Sequence, residues 1–127
     1  QQGLVAHVNI MGYTAALAAY RDGQVWLDEL LVYLQANRDY LVDFVKENLP
    51  GVKMTVPEGT YLAWLDFSAL GLPDEPYKFF KEKAKVGLND GKTFGQGGEG
   101  FVRLNFGCPK ATLEDALKRL QEAVFPS

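Results

Sequence analysis

One arginine, Arg103, stands in an otherwise apolar segment, residues 101–106, whose side chains alternate as in a β-strand. Three large apolar side chains share one face of that strand: Val102, Leu104 and Phe106. Arg103 and Asn105 are therefore expected side by side on the other face. A guanidinium can bind a carboxylate through two parallel hydrogen bonds, and a neighbouring amide can complete the contact. The spacing alone leaves open a carboxylate-binding pair or an exposed arginine that pairs with a surface acid.

Other groups that could carry chemistry are few. The chain has one histidine, His7, and one cysteine, Cys108, which exclude a site with two imidazoles, an internal disulfide and a cysteine-rich zinc site. We interpret His7 as a structural residue and Cys108 as a small buried side chain. No carboxylate spacing resembles a calcium-binding loop, so we predict no metal site. Tyr61 could present its hydroxyl to a pocket, although packing in the core is the commoner role of such a tyrosine.

A glycine-rich stretch precedes Arg103. Residues 95–100 read GQGGEG, which formally matches the dinucleotide-binding pattern G-x-G-x-x-G. That pattern binds pyrophosphate where a helix begins directly after the glycines, whereas here the strand of residues 101–106 follows. We therefore interpret the stretch as a turned or flexible loop.

The composition indicates one folded domain. The chain has 127 residues, of which 47% are apolar and 23% are charged, close to the average of globular proteins. Its net charge of -3 argues against binding to nucleic acid or to an anionic membrane. Residues 1–20 contain no charged side chain, but polar residues interrupt the apolar run. We therefore expect this segment to be buried against protein, with neither a membrane nor a nucleic acid as partner.

Hydrophobic periodicity predicts an α+β fold, in which a long helix precedes a mostly antiparallel sheet with helices packed on one face. The predicted helices are residues 11–21, 24–49, 76–85 and 112–124, the last with Thr112 as its cap, and the predicted strands are residues 52–56, 60–67, 86–88 and 101–106. Residues 60–67 are apolar on both faces, which is typical of a central strand. The helix of residues 24–49 is longer than a small domain is wide, so we expect part of it to pack against something else.

Four segments together resemble a known family. They read NIMGYTAALAAY, WLDELLVYLQANRDYL, LPGVKMTVPEGTYLAWLDF and GLNDGKTFGQGGEGFVRLNFGCP. They are similar to the C-terminal small domain of fold-type I, pyridoxal-phosphate-dependent class I/II aminotransferases, and most similar to the cystathionine β-lyase-like C–S lyase branch. The resemblance covers residues 8–125, and EGTYLAWLDF and GEGFVRLNFGCP are its most specific parts.

The resemblance implies a substrate site. Arg103 is implied to bind the α-carboxylate of an amino-acid substrate, and Asn105 and Tyr61 are weaker assignments to the same site. The full-length enzyme is implied to catalyse either transamination or β-elimination of a thiol with release of ammonia and pyruvate.

The resemblance also implies neighbours of that site. The loop with Asn89, Gly91 and Phe94 is implied to border the active-site entrance. Asn9 and Tyr13 are implied to lie near the active sites of a homodimer.

The catalytic group itself is expected elsewhere. The Schiff-base lysine of the family lies upstream, in a Ser-x-x-Lys setting, and no lysine here lies in such a loop, so we assign no catalytic residue to this chain. Pyridoxal 5'-phosphate, the cofactor of the full-length enzyme, is expected to be held by a missing N-terminal large domain and not by this fragment. We expect residues 1–23 to be the tail of that domain or its linker and residues 24–127 to be the small domain, in a cytoplasmic enzyme.

Two other classes of function remain open. One is a stand-alone, ferredoxin-like module that binds an amino acid and regulates another protein, and the other is a protein-interaction domain that uses the long helix. A regulatory module folds by itself with a complete sheet, whereas this chain begins with an uncharged helix that needs a partner, which favours the enzyme.

Overall fold

The structure is a computed structural model that describes residues 8–126, so His7 lies outside the described residues. The first helix, α1, is Ile10–Asp22, and the second, α2, is Gln24–Asn48. Asn9 caps α1, because its side-chain Oδ1 accepts a hydrogen bond of 2.8 Å from the amide of Gly12. The chain divides into two compact units between Tyr33 and Leu34, a boundary that falls within α2.

A four-stranded sheet organises the second unit. Its strands are β1 (Lys53–Met54), β2 (Leu62–Asp66), β3 (Asn89–Asp90) and β4 (Phe101–Asn105). The order across the sheet is β1-β2-β4-β3, and every neighbouring pair is antiparallel. This confirms the prediction that residues 60–67 contain a central strand.

Helices cover one face of this sheet, as the sequence predicts. The third helix, α3, is Pro76–Lys83, and the fourth, α4, is Lys110–Val124. The predicted apolar face of β4 is buried, with exposed fractions of 0%, 3% and 1% for Val102, Leu104 and Phe106. The same core contains Leu41 and Val45 of α2, Ala63 and Leu65 of β2, Phe79 and Phe80 of α3, and Leu113, Leu117 and Leu120 of α4.

A buried amide joins α2 to the end of β4. The side-chain Nδ2 of Asn37 donates hydrogen bonds to the carbonyls of Phe106, at 3.0 Å, and of Cys108, at 2.8 Å. Asn37 is 1% exposed. Because buried backbone carbonyls need donors, this side chain fixes the position of the turn that follows β4.

The apolar stripe of α2 is buried in its second half only. Leu41 and Val45 are 0% and 4% exposed, whereas Leu27 and Leu31 are 41% and 54% exposed. The expectation that the first half packs against another partner stays a prediction. None of the helices over residues 8–126 combines the length and the apolar character that a membrane crossing needs.

The predicted strand at residues 86–88 is wrong. Lys85 has a positive φ of 56°, and the amide of Val86 donates a hydrogen bond of 3.2 Å to the carbonyl of Phe80. Lys85 in the left-handed conformation ends α3, and the hydrogen bond from Val86 back to the helix uses the amide that a strand would have paired. Sheet pairing therefore begins later, at Asn89.

The predicted cap of the last helix is also wrong. Helix α4 begins at Lys110 after Pro109, and no side chain caps it. The amide of Thr112 already donates to the carbonyl of Pro109 at 2.9 Å, which places Thr112 inside the first turn. The fixed φ of proline prepares the chain for a helix, which explains the earlier start.

A short turn after β2 depends on a carboxylate. Oδ1 of Asp66 accepts a hydrogen bond of 2.9 Å from the amide of Ser68, and hydrogen bonds from Ser68 lower the pKa of the Asp66 carboxyl. A carboxyl with a lowered pKa stabilises the fold above its ordinary pKa of about 3.9 and loses that contribution as the pH falls through the lowered value.

We expect Asp66→Asn to lower the free energy of unfolding by about 1 kcal/mol or less at pH 7, because the pairing is partly exposed. The difference between variant and wild type should shrink as the pH falls from about 5 to 2. Urea titrations of the chain over this pH range measure the effect. A difference that does not change with pH would show that the charge of Asp66 plays no part.

Candidate functional site

Arg103 lies on β4, between the strands β2 and β3, and its side chain belongs to the second face of the sheet. Arg103 pairs across the sheet with Trp64 of β2 on one side and with Asn89 of β3 on the other. Because side chains alternate along β4, Arg103 points away from the face that carries Val102 and Leu104. This arrangement confirms the predicted orientation of Arg103.

Two neutral side chains, Asn89 and Phe94, contact the guanidinium of Arg103. Its Nη2 donates a hydrogen bond of 3.2 Å to Oδ1 of Asn89, and its Cζ lies 4.6 Å from the centre of the Phe94 ring. The Nε atom is buried and has no hydrogen-bond partner among the described residues. A buried donor without an acceptor is costly, and because Nε is covered, a ligand can be bound only by the terminal nitrogens of Arg103.

The other arginines differ from Arg103. Each of them forms an ion pair with an aspartate: Arg21 with Asp22, Arg38 with Asp39, and Arg119 with Asp115. Within the described part of the chain, Arg103 forms no such ion pair. An arginine held in place without a carboxylate is suited to bind the carboxylate of a ligand.

The position of Phe94 depends on two glycines. Phe94 ends a 3₁₀ turn, Gly91–Phe94, that follows β3 directly. A Cβ atom at Gly91 would lie 2.3 Å from the carbonyl oxygen of Gly98, so this contact is possible only without a side chain. The side chain of Lys92 forms an ion pair with Glu75. These contacts hold the loop against the end of β4 and fix the ring of Phe94 beside Arg103.

The stretch of residues 95–100 forms turns. Gly95, Gly97 and Gly100 have φ angles of 121°, 85° and 79°, and β4 follows without an intervening helix. The sequence-based interpretation as a turned loop is confirmed.

Aromatic rings flank Arg103 on the same face. Trp64 stacks on Phe101 with a centroid distance of 5.5 Å and an interplanar angle of 20°. Phe94 meets the Trp64 ring edge-on at 5.4 Å. Neither Trp64 nor Phe101 was predicted as a site residue. Their alternation with buried neighbours places them on the face of Arg103, but the pairing of β2 with β4 was needed to bring them together.

The structure does not join Asn105 or Tyr61 to Arg103 through any described hydrogen bond. Oδ1 of Asn105 accepts a hydrogen bond of 2.8 Å from the amide of Gly107, so this side chain closes the turn after β4. The ring of Tyr61 lies against Gly107 and is 50% exposed. Their assignment to the substrate site stays a prediction.

Asn9 and Tyr13 belong to the first unit of the chain. The side chain of Asn9 is used as the cap of α1, and Tyr13 is 67% exposed. An exposed tyrosine on a helix without buried residues is compatible with a covered surface in a larger assembly, and the assignment near a dimer site stays a prediction.

The remaining sequence candidates carry no site. Residues 8–126 contain no group of three histidine, cysteine, aspartate or glutamate side chains that could hold a metal ion. Cys108 is half-buried, and burial raises the pKa of its thiol. A thiol with a raised pKa holds less thiolate at neutral pH and is a weaker nucleophile.

We expect Cys108 in the folded chain to react with iodoacetamide at pH 7.5 about threefold or more slowly than the thiol of a short unfolded peptide. The rate is measured by mass spectrometry over time. In 8 M urea, about the strongest practical denaturing condition, the difference should disappear, because unfolding exposes the thiol. Equal rates in the native state would show that Cys108 is not protected.

Comparisons with known proteins agree with the sequence resemblance. The family "Aminotransferase class I and II" matches residues 5–120. The "Cystathionine beta-lyase PatB" of Bacillus subtilis (strain 168) is 46% identical over 125 residues, which are 98% of this chain and 32% of that protein. The "Aspartate aminotransferase" of Pyrococcus horikoshii is 30% identical, over 87% of this chain and 29% of that protein.

A solved structure has the same fold. The crystal structure of the PLP-bound C-S lyase from Staphylococcus hominis superposes with a TM-score of 0.90 at 30% sequence identity, and the match covers 98% of this chain and 33% of that one. The chain thus spans about a third of the length of the proteins that it matches. From the match over residues 5–120, the chain belongs to the class I and II aminotransferase family.

Proposed function

We propose that this chain is the C-terminal small domain of a pyridoxal-phosphate-dependent C–S lyase, in which Arg103 binds the α-carboxylate of an amino-acid substrate. The observation that carries the proposal is the guanidinium of Arg103, which Asn89 and Phe94 contact and which, unlike the other arginines, forms no ion pair among the described residues. The relative at 46% identity is named a cystathionine beta-lyase, and the superposed structure is named a C-S lyase, which supports the reaction class.

Arg103 would act by orienting the substrate. A carboxylate beside the terminal nitrogens of Arg103 can accept two hydrogen bonds from the same planar group. Two parallel hydrogen bonds fix the carboxylate in one plane, and this fixes the direction of the bonds at the substrate Cα. The Phe94 ring lies against the guanidinium and meets the Trp64 ring, so these two rings replace part of the water on one side of the charge pair, which strengthens the attraction between the charges.

The described residues do not fit as the holder of the cofactor. All nine lysines of the chain are exposed at the surface, and Lys92, which lies in the loop beside Arg103, is paired with Glu75. When bound, pyridoxal phosphate supplies an electron sink for the charge that develops at the substrate Cα. This chain would supply the carboxylate clamp, and the part of the protein beyond it would hold the cofactor.

The remaining assignments follow the same proposal. Residues 24–127 would be the small domain, residues 1–23 the tail of the large domain or its linker, and the full-length protein a cytoplasmic homodimer. Asn89, Gly91 and Phe94 would border the entrance of the site. The contact of Phe94 and Asn89 with Arg103 supports this placement.

A second candidate is an aminotransferase. The family match and the 30% identical aspartate aminotransferase support it, and the same carboxylate clamp would serve that reaction. A stand-alone ferredoxin-like regulatory module has no support of this kind, because the family match covers nearly the whole chain.

The product formed by the full-length enzyme distinguishes the two reactions. A C–S lyase supplied with a thioether amino acid such as L-cystathionine takes up water and releases a thiol, ammonia and pyruvate. We expect the thiol and pyruvate in equal amounts without any added 2-oxo acid. An aminotransferase forms a new amino acid only when a 2-oxo acid is added, and it releases no thiol. If none of the amino acids tested gave product in either assay, the proposal would be contradicted.

A further inference from the structure

We propose that Asn89 is a positioning residue for Arg103: a neutral acceptor that orients the guanidinium and leaves its charge for the substrate. The inference rests on the proposed carboxylate-binding role of Arg103. It assigns to Asn89 a function that is different from a place at the entrance of the site, because Asn89 would act through Arg103.

The register of the sheet places Asn89 beside Arg103. Asn89 lies directly opposite Arg103 in the pairing of β3 with β4, and side chains of directly opposed residues are close neighbours. Its Oδ1 accepts the hydrogen bond from Nη2 of Arg103 at 3.2 Å. The ring of Phe94 supports the guanidinium at 4.6 Å. The hydrogen bond to Asn89 fixes the rotation of the guanidinium, and the contact with the Phe94 ring fixes the distance of the guanidinium from the sheet.

Nearby carboxylates are directed elsewhere. Asp90 is the next residue in β3, and it lies opposite Val102, on the other face of the sheet. Oδ1 of Asp90 accepts a hydrogen bond from the amide of Lys92 at 3.1 Å. Glu99 accepts one from the amide of Gly97, also at 3.1 Å. Asp90, the acidic residue of this edge strand, therefore lies one residue away from position 89, where a carboxylate would neutralise the charge of Arg103.

Asparagine and aspartate differ in charge, and this difference explains why an amide at position 89 leaves Arg103 available to the substrate. An aspartate at position 89 would accept the same hydrogen bond, but with a full negative charge and in the paired geometry that arginine and carboxylate favour. It would act as a built-in competitor of the substrate carboxylate. An alanine there would remove the acceptor and leave the guanidinium free to rotate.

The test uses steady-state kinetics of the full-length enzyme with saturating cofactor. We expect Asn89→Asp to raise KM for the amino acid about 10- to 100-fold, because hydrogen bonds between charged groups are the strong ones, while kcat changes less. Asn89→Ala should raise KM about 3- to 10-fold. Gln96→Glu is the matched control, since it adds the same charge at an exposed position of the adjacent loop and should leave KM within about twofold.

A double-mutant cycle separates positioning from a structural role. In an Arg103→Ala background, Asn89→Asp should have no further effect on KM, because there is no guanidinium left to occupy. A structural defect would persist in that background. Asn89 is exposed, so the variants are expected to fold, and circular dichroism checks this.

Each outcome leads to a decision. If Arg103→Ala lowers kcat/KM but Asn89→Asp leaves KM within twofold of wild type, the role of Asn89 is refuted and the role of Arg103 stands. If Asn89→Asp raises KM equally with and without Arg103, the effect is structural and the inference is again refuted. If Arg103→Ala has no effect, the proposed function itself fails.

Discussion

Replacing Arg103 by alanine in the full-length enzyme is expected to lower kcat/KM for the amino-acid substrate about 30- to 4,000-fold. The loss of one partner of a desolvated, hydrogen-bonded charge pair costs about 2–5 kcal/mol, and each ~1.4 kcal/mol corresponds to a factor of ten. The effect is expected to be large because Arg103 forms no ion pair among the described residues, so that its charge is available to the substrate. Steady-state kinetics with the substrate identified by the product assay measure it.

Arg103→Lys is the control for this prediction. Lysine keeps the positive charge but has no planar pair of donors, so its kcat/KM should lie between wild type and Arg103→Ala. If the alanine variant were within twofold of wild type, Arg103 would not bind the carboxylate.

The second large effect concerns the chain by itself. We expect the 127-residue chain to fold but to show no stable binding of pyridoxal phosphate and no turnover of any amino acid. Folding is expected because α2, α3 and α4 share one buried core with the sheet. Inactivity is expected because the chain supplies a carboxylate clamp, while catalysis by this cofactor needs groups that hold and orient it.

Incubation with pyridoxal phosphate, dialysis and a visible absorption spectrum test this expectation. The dialysed chain should have no absorption from the cofactor and should release no pyruvate from an added amino acid. The full-length enzyme, treated in the same way, is the positive control. A stoichiometric absorption band that survives dialysis of the chain, together with pyruvate release, would show that the catalytic groups lie within these residues.

The core side of the sheet was predictable from the sequence because strand alternation is a local signal. Val102 and Leu104 alternate with Arg103, and this alone placed the arginine on the second face. The central position of β2 was also predictable from a local pattern, because Ala63 and Leu65 on one face of the strand and Trp64 on the other are all apolar.

The edge strand β3 was not predictable in the same way. Residues 86–88 have the apolar character of a strand, but the amide of Val86 is used to end α3. The contact between Asn89 and Arg103 spans fourteen residues of sequence and depends on where that pairing begins. A shift of one residue would exchange Asn89 for Asp90, so a sequence pattern with uncertain strand boundaries could not specify the neighbour of Arg103.

The role of Asn105 illustrates a local signal that was overlooked. An asparagine two residues before a glycine favours a turn in which the side chain accepts the glycine amide, and the structure has this hydrogen bond at 2.8 Å. The pattern in the sequence therefore pointed to a turn as well as to a carboxylate clamp. This hydrogen bond uses only Oδ1 of Asn105, and the assignment of the side chain to the substrate site stays a prediction.

The most direct test of the central claim is a crystal structure of the full-length enzyme with pyridoxal phosphate and a bound amino-acid substrate analogue. We expect the α-carboxylate to lie about 2.7–2.9 Å from terminal nitrogens of Arg103, with Asn89 still in contact with the guanidinium. A carboxylate bound by another cation, with the guanidinium of Arg103 unpaired or paired with a residue from elsewhere in the protein, would contradict the proposed role of Arg103.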